Sequence, residues 1–411
     1  MPKVESSRKK TTHKQSFVPY VKGFRRATKK QQITALGYSK ESDIPPELQS
    51  YGFDPIKRCT SIDDWLAQYT EPAQSYPDFL TQTPWLSRRK LKYISQDFVA
   101  EGKTLPEKYP QGKIYIVALG EFDEESKTRL NALIEYTEIF LGLPVRKLPD
   151  LELEITNNSI HLVHSQQPSW PIVPPRQPLR ARFKNQNRHK HHQLSITDGL
   201  FVLRKYLPKD GLCMIALTNQ DLFEAKSDLF VAGMAAGNQL VAIFSLFRYN
   251  PNLEFSSEFW YEVRERKQKQ NRQKTNSKPK NQTENDSRNS KKPVSRIPAN
   301  TSTNSRIILQ RGCRLLVHEI SHLLGLGHCV YFDCCMNGSG HLQEDFSQPM
   351  HLCPVDLRKL KALVGFDIVE RYTKLEVFYR MHQMDEEADW VQKKLAHIRT
   401  QQSQVKNSDT S

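Results

Sequence analysis

The stretch that decides the reading is His318-Glu319-Ile320-Ser321-His322-Leu323-Leu324-Gly325-Leu326-Gly327-His328. Residues four apart on a helix share a face, so His318 and His322 can turn both imidazoles toward one ion. Glu319 follows one position later on the same turn, where a carboxylate can take a proton from a water beside that ion. The helix must then stop for a third donor to swing in. Gly325 tolerates the positive φ that such a stop requires, and His328 comes three residues on. Three neutral imidazoles leave one coordination position open, the mark of a catalytic rather than a structural zinc. The pattern therefore predicts a zinc-dependent peptidase, with His318, His322 and His328 as ligands, Glu319 as general base and a peptide or protein as substrate. Three ordinary surface histidines would be the bland alternative, but the full spacing rarely arises by chance.

Working outward, Ser305 can cap a helix starting at about Arg306, with Ile307, Ile308, Leu315, Leu316 and Ile320 apolar. Upstream, Lys113-Ile-Tyr-Ile-Val-Ala-Leu119 is a β-branched run closed by Gly120, the sign of a buried strand. Asp123-Glu-Glu125 then supplies the acidic first turn of a helix, which Gly142 and Pro144 end. Further strands are expected at 145–149, 151–155, 212–218, 229–234 and 239–247, the last two joined at Gly237-Asn238, with a short helix from Thr197 to about Tyr206. Strand–helix–strand order points to a mixed α/β sheet.

The formal charge of +15 on 411 residues is unevenly placed. Residues 1–30, 168–190 and 264–296 hold more than the whole excess of Lys and Arg, and the remainder is mildly acidic. Residues 264–305 are almost wholly polar and cannot bury a core. The expected organisation is a basic disordered leader at 1–45 and a packing extension at 46–112. The strand–helix half of the catalytic domain follows at 113–263, interrupted by a Pro-rich basic loop at 168–192. A disordered insert at 264–305 separates it from the active-site helix, zinc loops and helices at 306–384. A helical segment with a polar tail, 385–411, ends the chain. No apolar run is long enough to span a membrane and the N-terminus lacks a secretory signal, so the expected location is intracellular, cytoplasmic or nuclear. A monomer is expected. The basic segments suit nucleic acid or an acidic partner, which gives a rival reading: a catalytically weak, zinc-stabilised binding protein.

Seven cysteines in such a chain point to metal rather than disulfides, and four of them, Cys329, Cys334, Cys335 and Cys353, crowd just past His328. Cys329-x4-Cys334-x-Met336 is followed by Cys353-Pro-Val-Asp356. This pattern resembles the archaemetzincin (archaelysin) family, whose motif runs H-E-x-x-H-x-x-G-x-x-H-C-x4-C-x-M and, after a spacer, C-x-x-C. The stretches 336–345, 349–354 and 365–372 are similar to its animal branch, and weaker likeness reaches back to Lys113. The resemblance implies an α+β, metzincin-like peptidase domain with a twisted mixed sheet, an active-site helix and a Cys-rich zinc loop. It also implies two zinc ions, the second structural and held by Cys329, Cys334, Cys353 and position 356. Met336 would pack beneath the first, and the strand near 229–234 would be the edge along which substrate aligns. Position 356 is Asp where the family has Cys. An Asp oxygen can bind zinc, so a Cys3Asp site is one reading. Donation by Cys335 or His351 is a second, and thiols that are merely buried a third.

His189, His191 and His192 read as part of a solvated basic loop, and His341 and His351 as loop-structuring residues. Cys59, Cys213 and Cys313 read as small core residues.

Overall fold

The computed structural model describes residues 18–155, 160–163, 176–179, 181–186, 189–225, 228, 230–251, 253 and 301–408. The strands are β1 (Lys113–Leu119), β2 (Val145–Lys147), β3 (Glu152–Ile155), β4 (Ile160–Val163), β5 (Arg176–Leu179), β6 (Ala181–Gln186), β7 (His189–Ser195), β8 (Gly211–Thr218), β9 (Asp221–Phe223), β10 (Gly233–Ala236) and β11 (Val241–Ser245). Five of them form the central sheet in the order β10-β11-β8-β1-β2. β1 runs parallel to both β2 and β8, β8 parallel to β11, and β10 closes one edge antiparallel. This is the mixed α+β sheet the sequence predicts.

Alternation along the strands separates two cores, one on each face of the central sheet. Ile114, Ile116 and Ala118 of β1, with Ala242 and Phe244 of β11, face the larger one. There they meet Leu130, Leu133 and Phe140 of the helix Glu124–Leu141 and Cys313, Leu316, Val317 and Ile320 of the helix Thr301–Leu323. Tyr115, Val117 and Leu119 face the other side, against Leu200 and Leu203 of the helix Ile196–Leu203. Gly312 lets the long helix approach closely, since a Cβ there would lie 3.2 Å from Leu133.

Four sequence expectations need revision. The edge strand expected at 229–234 lies at Gly233–Ala236. The leader at 1–45 is not irregular throughout: residues 29–35 form a helix whose capping box joins Thr28 and Gln31, and Ala35, Leu36 and Ile44 enter the core. Residues 1–17 lie outside the described residues. The basic loop at 168–192 contains β5, β6 and most of β7; β6 pairs antiparallel with β7, which pairs parallel with β9. Ladders use backbone groups, which a Lys/Arg/His-rich composition does not remove. The active-site helix starts at Thr301, five residues before Arg306, so the insert boundary at 305 falls inside it; residues 254–300 lie outside the described residues.

From 46 onward, Trp65, Phe79, Trp85, Leu105 and Tyr109 are buried. Trp85 Nε1 donates to Leu323 O at 2.9 Å and so satisfies one of the carbonyls left over at the end of the active-site helix. Three helices, Pro354–Val364, Ile368–Met381 and Asp385–Ser408, complete the chain. Among the described residues no helix is long and apolar enough to cross a membrane.

Candidate metal and catalytic centre

The active-site helix ends where the ligand pattern requires. Gly325 adopts φ +93°, and the amides of Gly325 and Leu326 return to the carbonyls of His322 and Ser321 at 2.9 Å. The reversal carries His328 back beside the helix. One donor atom from each of His318, His322 and His328 lies within 4.8 Å of the others.

Hydrogen bonding fixes the tautomers of the first two. His318 Nδ1 lies 2.7 Å from Cys335 O, and His322 Nδ1 lies 2.7 Å from Leu326 O. A carbonyl can only accept, so both Nδ1 atoms carry the proton and both Nε2 atoms are bare. Those two bare nitrogens face each other at 3.0 Å. Protonation does not relieve the repulsion, because burial and the neighbouring imidazoles push His322 down to about 4 and His318 well below the ordinary histidine range. A cation between the lone pairs does. The separation is close to the roughly 3.3 Å that two ligands 2.0–2.1 Å from one tetrahedral ion would show. The donor set thus fits zinc.

Glu319 lies deep beside this cluster but keeps an opening to solvent. Burial, then the charge of Asp345, pushes its carboxyl up to about 8. A nearby cation acts in the opposite direction and favours the carboxylate.

The second expected cluster is also assembled. Cys329, Cys334, Cys353 and Asp356 are buried, and one donor atom from each lies within 4.8 Å of the rest. Cys329 Sγ is 3.5 Å from Cys353 Sγ, and Asp356 Oδ2 is 3.3 and 3.4 Å from the sulfurs of Cys334 and Cys353. The amides of Met336 and Cys353 donate to Cys334 Sγ at 3.4 and 3.1 Å, and burial together with the neighbouring cysteines pushes that thiol well up. Burial raises the Cys329 thiol, but the S–H donors of Cys334 and Cys353 and the charge of Lys359 outweigh it and bring it well down. Asp356, pushed up to about 6 by burial and by Cys329, also pairs with Lys359 Nζ at 2.8 Å through its other oxygen.

The rival donors lie elsewhere. Cys335 gives its carbonyl to His318, and its thiol is outside the cluster. His351 stacks on Trp390, centroids 3.9 Å apart. Met336 is fully buried, and its carbonyl accepts from Cys329 N at 2.7 Å, tying the two clusters together.

Several residues at the centre went unnoticed in the sequence. Glu71 Oε1 lies 3.3 Å from His328 Nδ1. Gln74 accepts from Gly327 N at 2.9 Å and donates to Gly325 O at 3.1 Å. Trp65 stands edge-on to the His328 ring at 5.3 Å. No spacing rule links these positions to the histidines, because tertiary packing alone brings them together. His341 does structure its loop: Nδ1 accepts from Glu344 N at 3.2 Å, so Nε2 donates to Asp64 at 2.9 Å.

The chain is similar in sequence to known proteins. Residues 294–362 match the model of peptidase family M54. Archaemetzincin-2 of Pongo abelii is 37% identical over 328 residues, covering 79% of this chain and 73% of that protein. Archaemetzincin-2 of Homo sapiens is 29% identical over 357 residues, covering 84% and 82% respectively. The crystal structure of archaemetzincin from Methanopyrus kandleri spans 60% of this chain and 92% of its own at 17% identity, with a TM-score of 0.33, too loose a likeness to carry an argument. The chain belongs to the archaemetzincin family of zinc metallopeptidases, peptidase family M54.

Proposed function

We propose that this chain hydrolyses peptide bonds of small or unfolded peptides at the centre formed by His318, His322 and His328, with Glu319 as general base. The observation that carries the reading is the pair of bare Nε2 atoms 3.0 Å apart, fixed by Nδ1–H donation to Cys335 O and Leu326 O. Neutral imidazoles arranged this way are donors awaiting a cation. Zinc held there supplies Lewis acidity, acidifying a water and polarising a carbonyl. Glu319 takes the proton from the attacking water as the new C–O bond forms. It returns that proton to the amine nitrogen as the C–N bond breaks, so one water is consumed. β10, the antiparallel edge of the sheet, offers backbone groups for aligning an extended substrate.

The same reading assigns a second, structural zinc to Cys329, Cys334, Cys353 and Asp356. It is supported by the convergence of their donor atoms and by the amides aimed at Cys334 Sγ.

Glu319→Gln tests the catalytic assignment. Zinc content should be unchanged while turnover of an unfolded peptide falls by about 10²–10⁴. A variant that cleaves as fast as the parent removes Glu319 from the role.

A further inference from the structure

The third histidine is held differently from the first two. His318 and His322 give their Nδ1 protons to backbone carbonyls close to the metal loops. Beside His328 Nδ1 stands a carboxylate from the opposite end of the chain, Glu71, with Oε1 at 3.3 Å. That oxygen is itself steered, since Trp65 Nε1 donates to it at 2.8 Å. Trp65 is anchored in turn, its backbone amide donating to Glu344 Oε2 at 2.8 Å. Three residues past Glu71, the Gln74 side chain makes a two-pronged contact with the turn before His328, accepting from Gly327 N and donating to Gly325 O. Residues 71–74 therefore form a strap docked on the third ligand. Together with Gln82, His322, Gly327 and His328 they line a cleft of about 330 Å³. Glu71 stands behind the centre rather than in it, because the donor atoms mutually within 4.8 Å are those of the three histidines.

We propose that Glu71 is a positioning residue for the metal centre: its carboxylate accepts the Nδ1 proton of His328 and so leaves Nε2 for the ion. The inference rests on the zinc assignment made above. A carboxylate behind a ligating imidazole fixes the ring orientation and raises its basicity, and loss of such a partner typically weakens metal binding about 10–100-fold. A neutral carbonyl does less, so His328 is the ligand whose strength depends most on one side chain. That side chain lies outside the segment 294–362 that the family model matches.

The test uses the full chain and zinc itself. Zinc dissociation constants would be measured by chelator competition for the parent, Glu71→Gln and Glu71→Ala, alongside absorption spectra of the cobalt-substituted proteins and melting with and without metal. The expected order of affinity is parent, then Gln, whose amide oxygen still accepts, then Ala, about 10–100-fold weaker than the parent. The cobalt spectrum should shift in Ala, and the melting temperature should fall less in the metal-free protein, where only the Trp65 Nε1 bond is lost, than in the zinc-loaded one. Zinc affinity of Glu71→Ala within twofold of the parent overturns the proposal. So does an equal loss of melting temperature with and without metal, which would mark a merely structural contact. Should the Ala variant not fold, Glu71→Gln decides: zinc affinity and cobalt spectrum both identical to the parent overturn it. If His318→Ala binds as much zinc as the parent, the zinc assignment itself fails and this inference falls with it.

Discussion

Asp356 occupies the position where the family motif has a cysteine, and its removal has two separable costs. Its side chain is fully buried, as is that of Lys359, and the two are paired at 2.8 Å. Without metal, Asp356→Ala leaves the buried ammonium with the Cys329 thiolate as its remaining counter-charge, so the loss should approach but not exceed the about 3–5 kcal/mol typical of breaking a buried pair. That is a large share of the total stability of an ordinary domain, about 5–15 kcal/mol. Lys359→Met added to Asp356→Ala removes the stranded charge, and an apolar replacement of a buried pair is often neutral. The double variant should therefore recover most of the loss. With zinc present the ranking changes, because neither variant can supply the fourth donor and both should hold one zinc per chain where the parent holds two. The assay is denaturant unfolding at pH 7.5 with chelator, paired with elemental analysis after zinc loading. At that pH Asp356 is ionised, since burial raises its carboxyl only to about 6. A metal-free loss below about 1 kcal/mol for Asp356→Ala would show that the pair is not buried as described. A double variant no more stable than the single would clear Lys359 of responsibility. Two zincs retained in Asp356→Ala would refute the Cys3Asp assignment.

Gly325→Ala should cost about 1–2 kcal/mol for the left-handed backbone alone, and more because the new Cβ would lie 3.0 Å from Thr83 Oγ1. The same variant should lose zinc from the histidine centre more readily in a chelator titration, and a loss under about 0.5 kcal/mol would refute the turn. Lys394, buried with its ammonium donating to Gln49 O and Tyr51 O, is pushed down to about 7 by desolvation. Between that value and its unfolded pKa near 10.4 the unfolded chain holds the extra proton, so this group makes stability rise with pH across the window. Lys394→Met should lose this positive contribution to the slope when melting is followed from pH 7 to 10, and an identical slope in both proteins would contradict the assignment.

How much of this was legible in the sequence depends on whether a feature is local. His318, Glu319 and His322 are set by one helix turn, Gly325 by one backbone conformation, and the strand and helix from Lys113 to Leu141 by periodicity and capping. All of these lie in short windows; the strand and helix form where expected, and Gly325 takes the left-handed backbone. The strands within 168–192 were hidden because polar and basic residues suppress the apolar alternation by which strands are recognised, whereas their pairing depends on backbone groups. The helix Lys29–Ala35 was hidden by the surrounding charge, although Thr28 and Gln31 carried the capping-box signal. Glu71 and Gln74 had no signal at all. A carboxylate in a Pro-containing extension reaches His328 only when Phe79, Trp85 and Tyr109 pack that extension onto the end of the helix Thr301–Leu323.

The two centres are joined by a single peptide bond, since His328 belongs to one donor cluster and Cys329 to the next. Their loops are also stitched together by hydrogen bonds: Cys329 N to Met336 O, and His318 Nδ1 to the carbonyl of Cys335, which lies next to Cys334. An ion at the cysteine cluster therefore fixes the positions of His328 and of a hydrogen-bond partner of His318. Such coupling is reciprocal by thermodynamic necessity: whatever the structural site contributes to zinc affinity at the histidines, the histidine site returns. If the proposed assignments hold, an Asp at position 356 would bear on catalysis although it touches none of the reacting atoms. A harder, less firmly bound fourth ligand loosens the loop from the cysteine side, while Glu71 and Gln74 hold the same loop from the other. On this reading the strap from the N-terminal extension lets the chain keep its third histidine in place with a weakened second site.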